Sequence, residues 1–182
     1  MCDDCCCEEE RFLMVGKEVP LFSAQAYYKG EFKDISLDDY KGKWVVLFFY
    51  PLDFTFVCPT ELIEMSKRAS EFEKRGVQVL SVSVDSVYSH EAWCKDIGAL
   101  NFPMIADLNK TITEDYGVLH DDGVAFRGTF IIDDKQVLKA MTVHDLPLGR
   151  SVDETLRVLD AAMSGELCPV GWKKGDKTLG KA

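Results

Sequence analysis

The chain has 182 residues, 47% apolar and 29% charged, enough for one full hydrophobic core and short of the usual two-domain range. Its 21 Lys and Arg stand against 31 Asp and Glu, a formal charge of −10, so the overall field repels phosphate backbones and anionic headgroups and excludes nucleic acid and membrane surfaces as natural partners. The longest apolar run, Trp44 to Tyr50, is far below the roughly 20 residues that cross a bilayer, and the acidic start Met-Cys-Asp-Asp lacks the basic region of a signal peptide, so a soluble, cytoplasmic protein is expected.

Residues 1–10 hold Cys2, Cys5, Cys6 and Cys7 among acidic side chains and have little else to bury, so they read as a flexible, oxidation-prone tail. Their Cys-x-x-Cys spacing is half of a soft-metal site, but no histidine completes it and no metal is expected. Residues 11–165 read as one domain and 166–182 as a C-terminal segment. Short strands are expected over Ala24–Tyr28 and Glu31–Ser36, with a helical turn at Ser36–Tyr40. Trp44–Tyr50 is continuously apolar and rich in β-formers, the pattern of a strand covered on both faces, and Pro51 ends it. From Cys58 to Lys74, Leu62, Met65, Ala69 and Phe72 fall on one helical stripe, and Gly76 stops it.

Further on, Val77–Val84 reads as a strand, Tyr88–Ile97 as a helix, Phe102–Ala106 as a strand and Thr111–Tyr116 as a short helix. Phe126–Asp133 and Val137–Val143 form a hairpin around Asp133–Gln136, followed by a helix marked by Val152, Leu156, Leu159 and Met163, with Ser151 as cap, Glu154 completing a capping box, and Gly165 as stop. This alternation predicts a three-layer α/β domain with a central mixed β-sheet flanked by helices.

Seven cysteines in a chain without a secretory signal point to chemistry, metal or burial rather than to a disulfide framework. Cys58 follows a central strand and precedes Pro59, the residue most at home in the first position of a helix. The unpaired N–H groups and the positive end of that helix favour a thiolate there. A buried, inert cysteine is the plainer alternative. Thr55 lies three residues earlier, where its hydroxyl can reach the sulfur or an oxygen bound beside it, and Pro51 and Pro59 stiffen the loop.

The run Pro51-Leu-Asp-Phe-Thr55-Phe-Val-Cys58-Pro59 resembles the Pro-x-x-x-Thr-x-x-Cys signature of peroxiredoxins. Ser81–Asp85, His90–Trp93, Asp115–Val118, Phe126–Asp133, Asp145–Glu154 and Glu166–Pro169 extend the resemblance over about residues 12–178, to the typical 2-Cys branch similar to bacterial alkyl hydroperoxide reductase C and thiol-specific antioxidant proteins. The resemblance implies a thioredoxin-like fold and a thiol peroxidase that reduces hydrogen peroxide and organic hydroperoxides. On that pattern Cys58 is the peroxidatic cysteine and Cys168, in Leu167-Cys-Pro-Val, resolves its sulfenic acid from a partner subunit.

Thr55 and Arg127 resemble the family's two side-chain donors, Glu61 would orient Arg127, and Arg150 falls at a second arginine near the site. An ion pair with Asp153 or Glu154 is the competing reading of Arg150. Trp93 and Trp172 are expected to pack near the two reactive cysteines. The family implies no cofactor, an external dithiol reductant (thioredoxin or a dedicated flavoprotein disulfide reductase), a homodimer across an edge strand at Lys139–Val143, and a ring of five such dimers. Easily over-oxidised relatives carry a Gly-Gly-Leu-Gly loop and a terminal Tyr-Phe helix; here the loop reads Gly98-Ala-Leu-Asn101 and the last residue is Ala182, so a robust enzyme is expected.

Cys94, beside Trp93, reads as packing, and His90, His120 and His144 read as surface or satisfied polar residues. A thioredoxin-type disulfide reductase is disfavoured, because Cys58-Pro-Thr-Glu61 lacks the second thiol of a Cys-x-x-Cys pair. A holdase chaperone and metal storage by the tail are the remaining alternatives.

Overall fold

The computed structural model describes residues 13–181; the expectations for the cysteine-rich segment 1–10 lie outside them. The strands are β1 (Ser23–Tyr28), β2 (Glu31–Ser36), β3 (Trp44–Phe49), β4 (Val77–Ser83), β5 (Met104–Ala106), β6 (Arg127–Ile132) and β7 (Leu138–His144). They form one sheet in the order β2-β1-β5-β4-β3-β6-β7. β3 pairs parallel with β4, and β4 with β5, while β1 and β6 enter antiparallel on either side. The sheet is mixed, as expected. The helices are α1 (Cys58–Lys67), α2 (Ala69–Glu73), α3 (Val87–Ile97), α4 (Thr111–Asp115) and α5 (Val152–Ser164).

β3 and β6 are central because nearly every side chain along them can be buried on one face or the other. Val45, Leu47, Phe49, Phe130 and Ile132 enter one apolar cluster with Tyr116 and Val118. Val46, Phe48 and Ile131 enter the other, with Leu62, Met65 and Phe72 from α1–α2 and Leu156 and Leu159 from α5. Helices therefore cover both faces, and β2 and β7 are left as edges.

Two local expectations are corrected. The stripe from Cys58 to Lys74 is not one helix: it breaks at Arg68 (φ −98°, ψ 8°), where the next turn closes through the tighter Glu71 N–H to Arg68 carbonyl bond. The apolar spacing runs through the break, since Leu62, Met65, Ala69 and Phe72 are all buried, and Arg68 itself turns out to pair with Glu71 and Asp153. The capping box at Ser151 is half formed. Ser151 accepts the Glu154 N–H, but the Glu154 carboxylate is drawn off by Arg157 instead of returning to the cap.

At the far end of α1, Asn101 donates its backbone N–H to Ser66 Oγ (2.9 Å) and its side-chain amide to the Ser66 carbonyl (3.1 Å). The segment 166–181 closes on itself through Leu167–Gly180 and Leu179–Leu167 backbone bonds. Its Trp172 is buried, and the Trp172 carbonyl accepts from Arg157 of α5.

Phe130 makes edge-on contacts with Phe49 and Tyr116 at 5.4 and 5.2 Å between ring centres. Phe130→Ala is expected to cost about 3–5 kcal/mol, read as a lower denaturation midpoint with an unchanged slope in denaturant.

Candidate functional site

The site forms where β3 ends and α1 begins. Pro51 is buried at the end of β3, and the loop 51–57 carries the chain to Cys58, the first helical residue. Pro59 occupies the first turn, where its missing N–H is no loss. No side chain caps this helix, and its first turn is held by the Thr60 and Glu61 N–H groups on the Val57 carbonyl. Phe54 lies at φ 55°, a left-handed conformation that costs a bulky side chain about 1–3 kcal/mol and persists only where its neighbours are fixed.

Cys58 is 0% exposed. Arg127 Nη1 approaches its sulfur at 3.4 Å and donates to Glu61 Oε2 at 2.7 Å, while Arg127 Nε donates to the Leu146 carbonyl at 2.7 Å. Arg150 resolves in favour of the site. It grips Glu61 Oε1 through its backbone N–H (2.7 Å) and Nε (2.9 Å), reaches Glu61 Oε2 at 3.1 Å and donates to the Gly128 carbonyl at 2.7 Å. Its guanidinium stacks 3.3 Å from the centre of the Phe48 ring. Asp153 and Glu154 pair elsewhere, with Arg68 and Arg157.

Two guanidiniums and one carboxylate leave one buried positive charge unmatched within this trio. A thiolate at Cys58 balances it, and a neutral thiol does not. Burial alone raises the Glu61 carboxyl, but hydrogen bonds and charge from Arg150, then Arg127, outweigh it and hold the group below the usual carboxylate range. Burial pulls Arg150 down, opposed by Glu61 and by the sulfur's charge.

The remaining expected residues fall as follows. Thr55 does not bond the sulfur: its hydroxyl donates to the Leu52 carbonyl at 2.9 Å, which leaves its oxygen lone pairs free to accept. Trp93 is buried in the same cluster as Cys58 and packs against Tyr50 and Phe54 at 5.9 and 6.1 Å, beneath the loop. Cys168 is half-buried beyond α5, 3.4 Å from Ser164 Oγ and 3.8 Å from the Ala161 carbonyl. Both Cys58 and Cys168 are free thiols with separate surroundings. Cys94 is buried against Met104, as packing requires, and burial raises its thiol.

Sequence reasoning missed a polar network under the loop. Asp53 is buried and accepts from Tyr50 Oη and Ser89 Oγ, both at 2.8 Å, and its Oδ2 lies 2.8 Å from His90 Nδ1. The Asp53 N–H donates to Asp85 Oδ2 at 2.9 Å, and His90 Nε2 reaches the Ile105 carbonyl at 3.3 Å. Burial, then the Asp53 charge, pushes the Tyr50 hydroxyl well above its ordinary range and raises Asp85. His90 is thus a satisfied buried residue. The advance signals were an aspartate inside a mostly apolar loop and the family-like segments Ser81–Asp85 and His90–Trp93.

A sequence model of the AhpC/TSA family matches residues 15–141. Peroxiredoxin-2 of Macaca fascicularis is 54% identical over 176 residues, covering 91% of this chain and 89% of the relative. Thioredoxin peroxidase of Echinococcus granulosus is 53% identical over 177 residues, covering 91% and 92%. Among solved structures, the reduced 2-Cys peroxiredoxin of Plasmodium vivax aligns with a TM-score of 0.88 at 42% identity, over 90% of this chain and 91% of that one. AhpC of Enterococcus faecalis aligns at 0.82 with 36% identity, over 87% and 100%.

Glu61→Gln is expected to lose about 3–5 kcal/mol of stability at neutral pH by stranding the two guanidiniums. Because the Glu61 carboxyl is held below its unfolded value, its contribution is fully present above the unfolded range and is lost as pH falls through the folded one. Urea midpoints of the two proteins should therefore converge in acid; a gap independent of pH would contradict the assignment.

Proposed function

The chain belongs to the AhpC/TSA family, and from that premise we propose that Cys58 reduces hydroperoxides and that Cys168 of a partner subunit resolves it. The chain is a peroxiredoxin, a thiol-dependent peroxidase with the thioredoxin-like peroxiredoxin fold. The observation that carries the residue assignment is the contact of Arg127 with the Cys58 sulfur inside a cluster that lacks one negative charge.

In the proposed step the Cys58 thiolate attacks the terminal oxygen of a hydroperoxide and the O–O bond breaks. Sulfur is oxidised by two electrons to a sulfenic acid, and the departing oxygen takes a proton to leave as water or an alcohol. Arg127 faces the sulfur, where negative charge moves onto the leaving oxygen, and Thr55 offers lone pairs to the peroxide hydroxyl. Glu61 and Arg150 hold Arg127 in place. No cofactor enters, since sulfur carries both electrons.

Resolution requires two sulfurs to come within about 2 Å, so the uncapped first turn of α1 must unwind to expose Cys58. Cys168 of the partner then attacks the sulfenic sulfur, water leaves, and an intersubunit disulfide forms. A dithiol reductant, of the thioredoxin type or a flavoprotein disulfide reductase, returns both thiols by exchange. Such a cycle fits a thiol-reducing compartment, the cytoplasm. The dimer is proposed to pair across β7, whose edge position and half-exposed Met141 (47%) and Val143 (45%) support it, with five dimers closing a ring.

Cys58→Ser is expected to abolish peroxide consumption. Cys168→Ser is expected to keep the first oxidation of Cys58 and to lose the intersubunit disulfide, read by mass mapping of unreduced peptides after one equivalent of hydrogen peroxide. A sulfenic acid persisting in the unaltered protein, with Cys168 free, would overturn the two-cysteine cycle. Arg127→Ala should slow the peroxide step by about 100-fold or more, measured as the second-order rate of Cys58 oxidation.

A further inference from the structure

We infer that Asp53 is a positioning residue for peroxide capture: it fixes the loop that carries Thr55, and so acts on the reaction through Thr55. This rests on the reading of Cys58 and Thr55 given above. Asp53 makes no hydrogen bond to the sulfur or to Arg127, Glu61 or Arg150. Asp53 nevertheless ties several pieces of the fold together: its carboxylate accepts from Tyr50 at the end of β3 and meets Ser89 and His90 in the first turn of α3, His90 reaches on to the Ile105 carbonyl of β5, and the Asp53 backbone N–H donates to Asp85 after β4. Asp85 is itself pinned by Ser83 Oγ at 2.7 Å.

The next residue shows why an anchor is needed there. Phe54 stands at φ 55° and is more than half exposed, with Trp93 beneath one side of its ring, so its own packing is a thin support for the left-handed turn. The turn is held from its two ends, by Asp53 on one side and by the Thr55 hydroxyl on the Leu52 carbonyl on the other. If the Asp53 end loosens, Phe54 relaxes to an ordinary conformation, the Thr55–Leu52 bond is lost, and the Thr55 oxygen leaves the direction in which a peroxide hydroxyl must meet it. Cys58 itself is held differently, by α1 and by the arginine pair. The sulfur's own reactivity therefore survives the loss of Asp53, while its selectivity for peroxide does not.

The experiment compares two rates at Cys58 in the full chain: oxidation by hydrogen peroxide and alkylation by iodoacetamide, a reagent that makes no use of Thr55. Asp53→Asn places an amide donor among the hydroxyl donors of Tyr50 and Ser89. It is expected to lower the peroxide rate by about 100-fold and to leave alkylation within about threefold of the unaltered protein, since the activating arginines are untouched. In the Thr55→Val background, Asp53→Asn should add no more than about threefold, because the two residues act as one unit. Ser89→Ala, a gentler cut that removes one donor, should lower the peroxide rate by about fivefold with the same selectivity and covers the case in which Asp53→Asn fails to fold.

Equal losses in both rates, full additivity with Thr55→Val, or a peroxide rate unchanged in both Asp53→Asn and Ser89→Ala would each overturn the inference. Failure of the underlying reading looks different: Cys58→Ser would go on consuming peroxide whatever stands at position 53.

Discussion

A single unmatched positive charge, buried where Arg127, Glu61 and Arg150 meet, is the constraint around which the candidate site is built. Desolvating three ionised side chains is costly, and an apolar cluster of equal volume would serve stability as well or better. What the charged trio supplies is a fixed field at a fixed place. Glu61 comes from α1, Arg127 from the start of β6 and Arg150 from the turn before α5, so closing the trio also locks the helix carrying Cys58 against the sheet. The Leu146 carbonyl takes a further N–H of Arg127 and the Gly128 carbonyl one of Arg150, and among the described residues no buried side-chain nitrogen or oxygen is left without a partner.

The same end of the sheet holds the loop between β3 and α1 in a single arrangement. β3 and β4 run parallel, and the loop leaving β3 is tied down on one side by the Asp53 network and capped on the other by the helix start. Prolines at 51 and 59 remove two degrees of freedom from a short stretch of chain. Rigidity of this kind serves the proposed peroxide step: groups already aimed need no reorganisation as charge moves.

Sequence and structure agree where a local signal has no nearby competitor. The apolar run ending at Pro51, the Cys58–Pro59 helix start and the stripe Leu62–Met65–Ala69–Phe72 each announce themselves within a few residues, and the mixed α/β sheet follows. What escaped is long-range or hinges on competition. Arg150 has acidic neighbours three and four places along, yet its partner Glu61 lies 89 residues away, and spacing cannot weigh one against the other. His90 meets Asp53 across 37 residues. The break at Arg68 is invisible because the apolar periodicity crosses it unchanged. The capping box at Ser151 failed for a similar reason, since Arg157 outbid the cap for the Glu154 carboxylate.

Helix α1 is fastened unequally. Its far end is stapled by Asn101, which serves both the hydroxyl and the carbonyl of Ser66, while its Cys58 end has no side-chain cap and a proline in place of a donor. Thermal fraying of such a helix has a direction. Amide protons near Thr60 should trade with solvent through small local openings and those near Met65 only through larger ones, a gradient along ten residues. Exposure of the sulfur lies one step further along that ladder: it adds release of Glu61 from Arg127 and Arg150 to the melting of one turn, and leaves the packed half of the helix undisturbed.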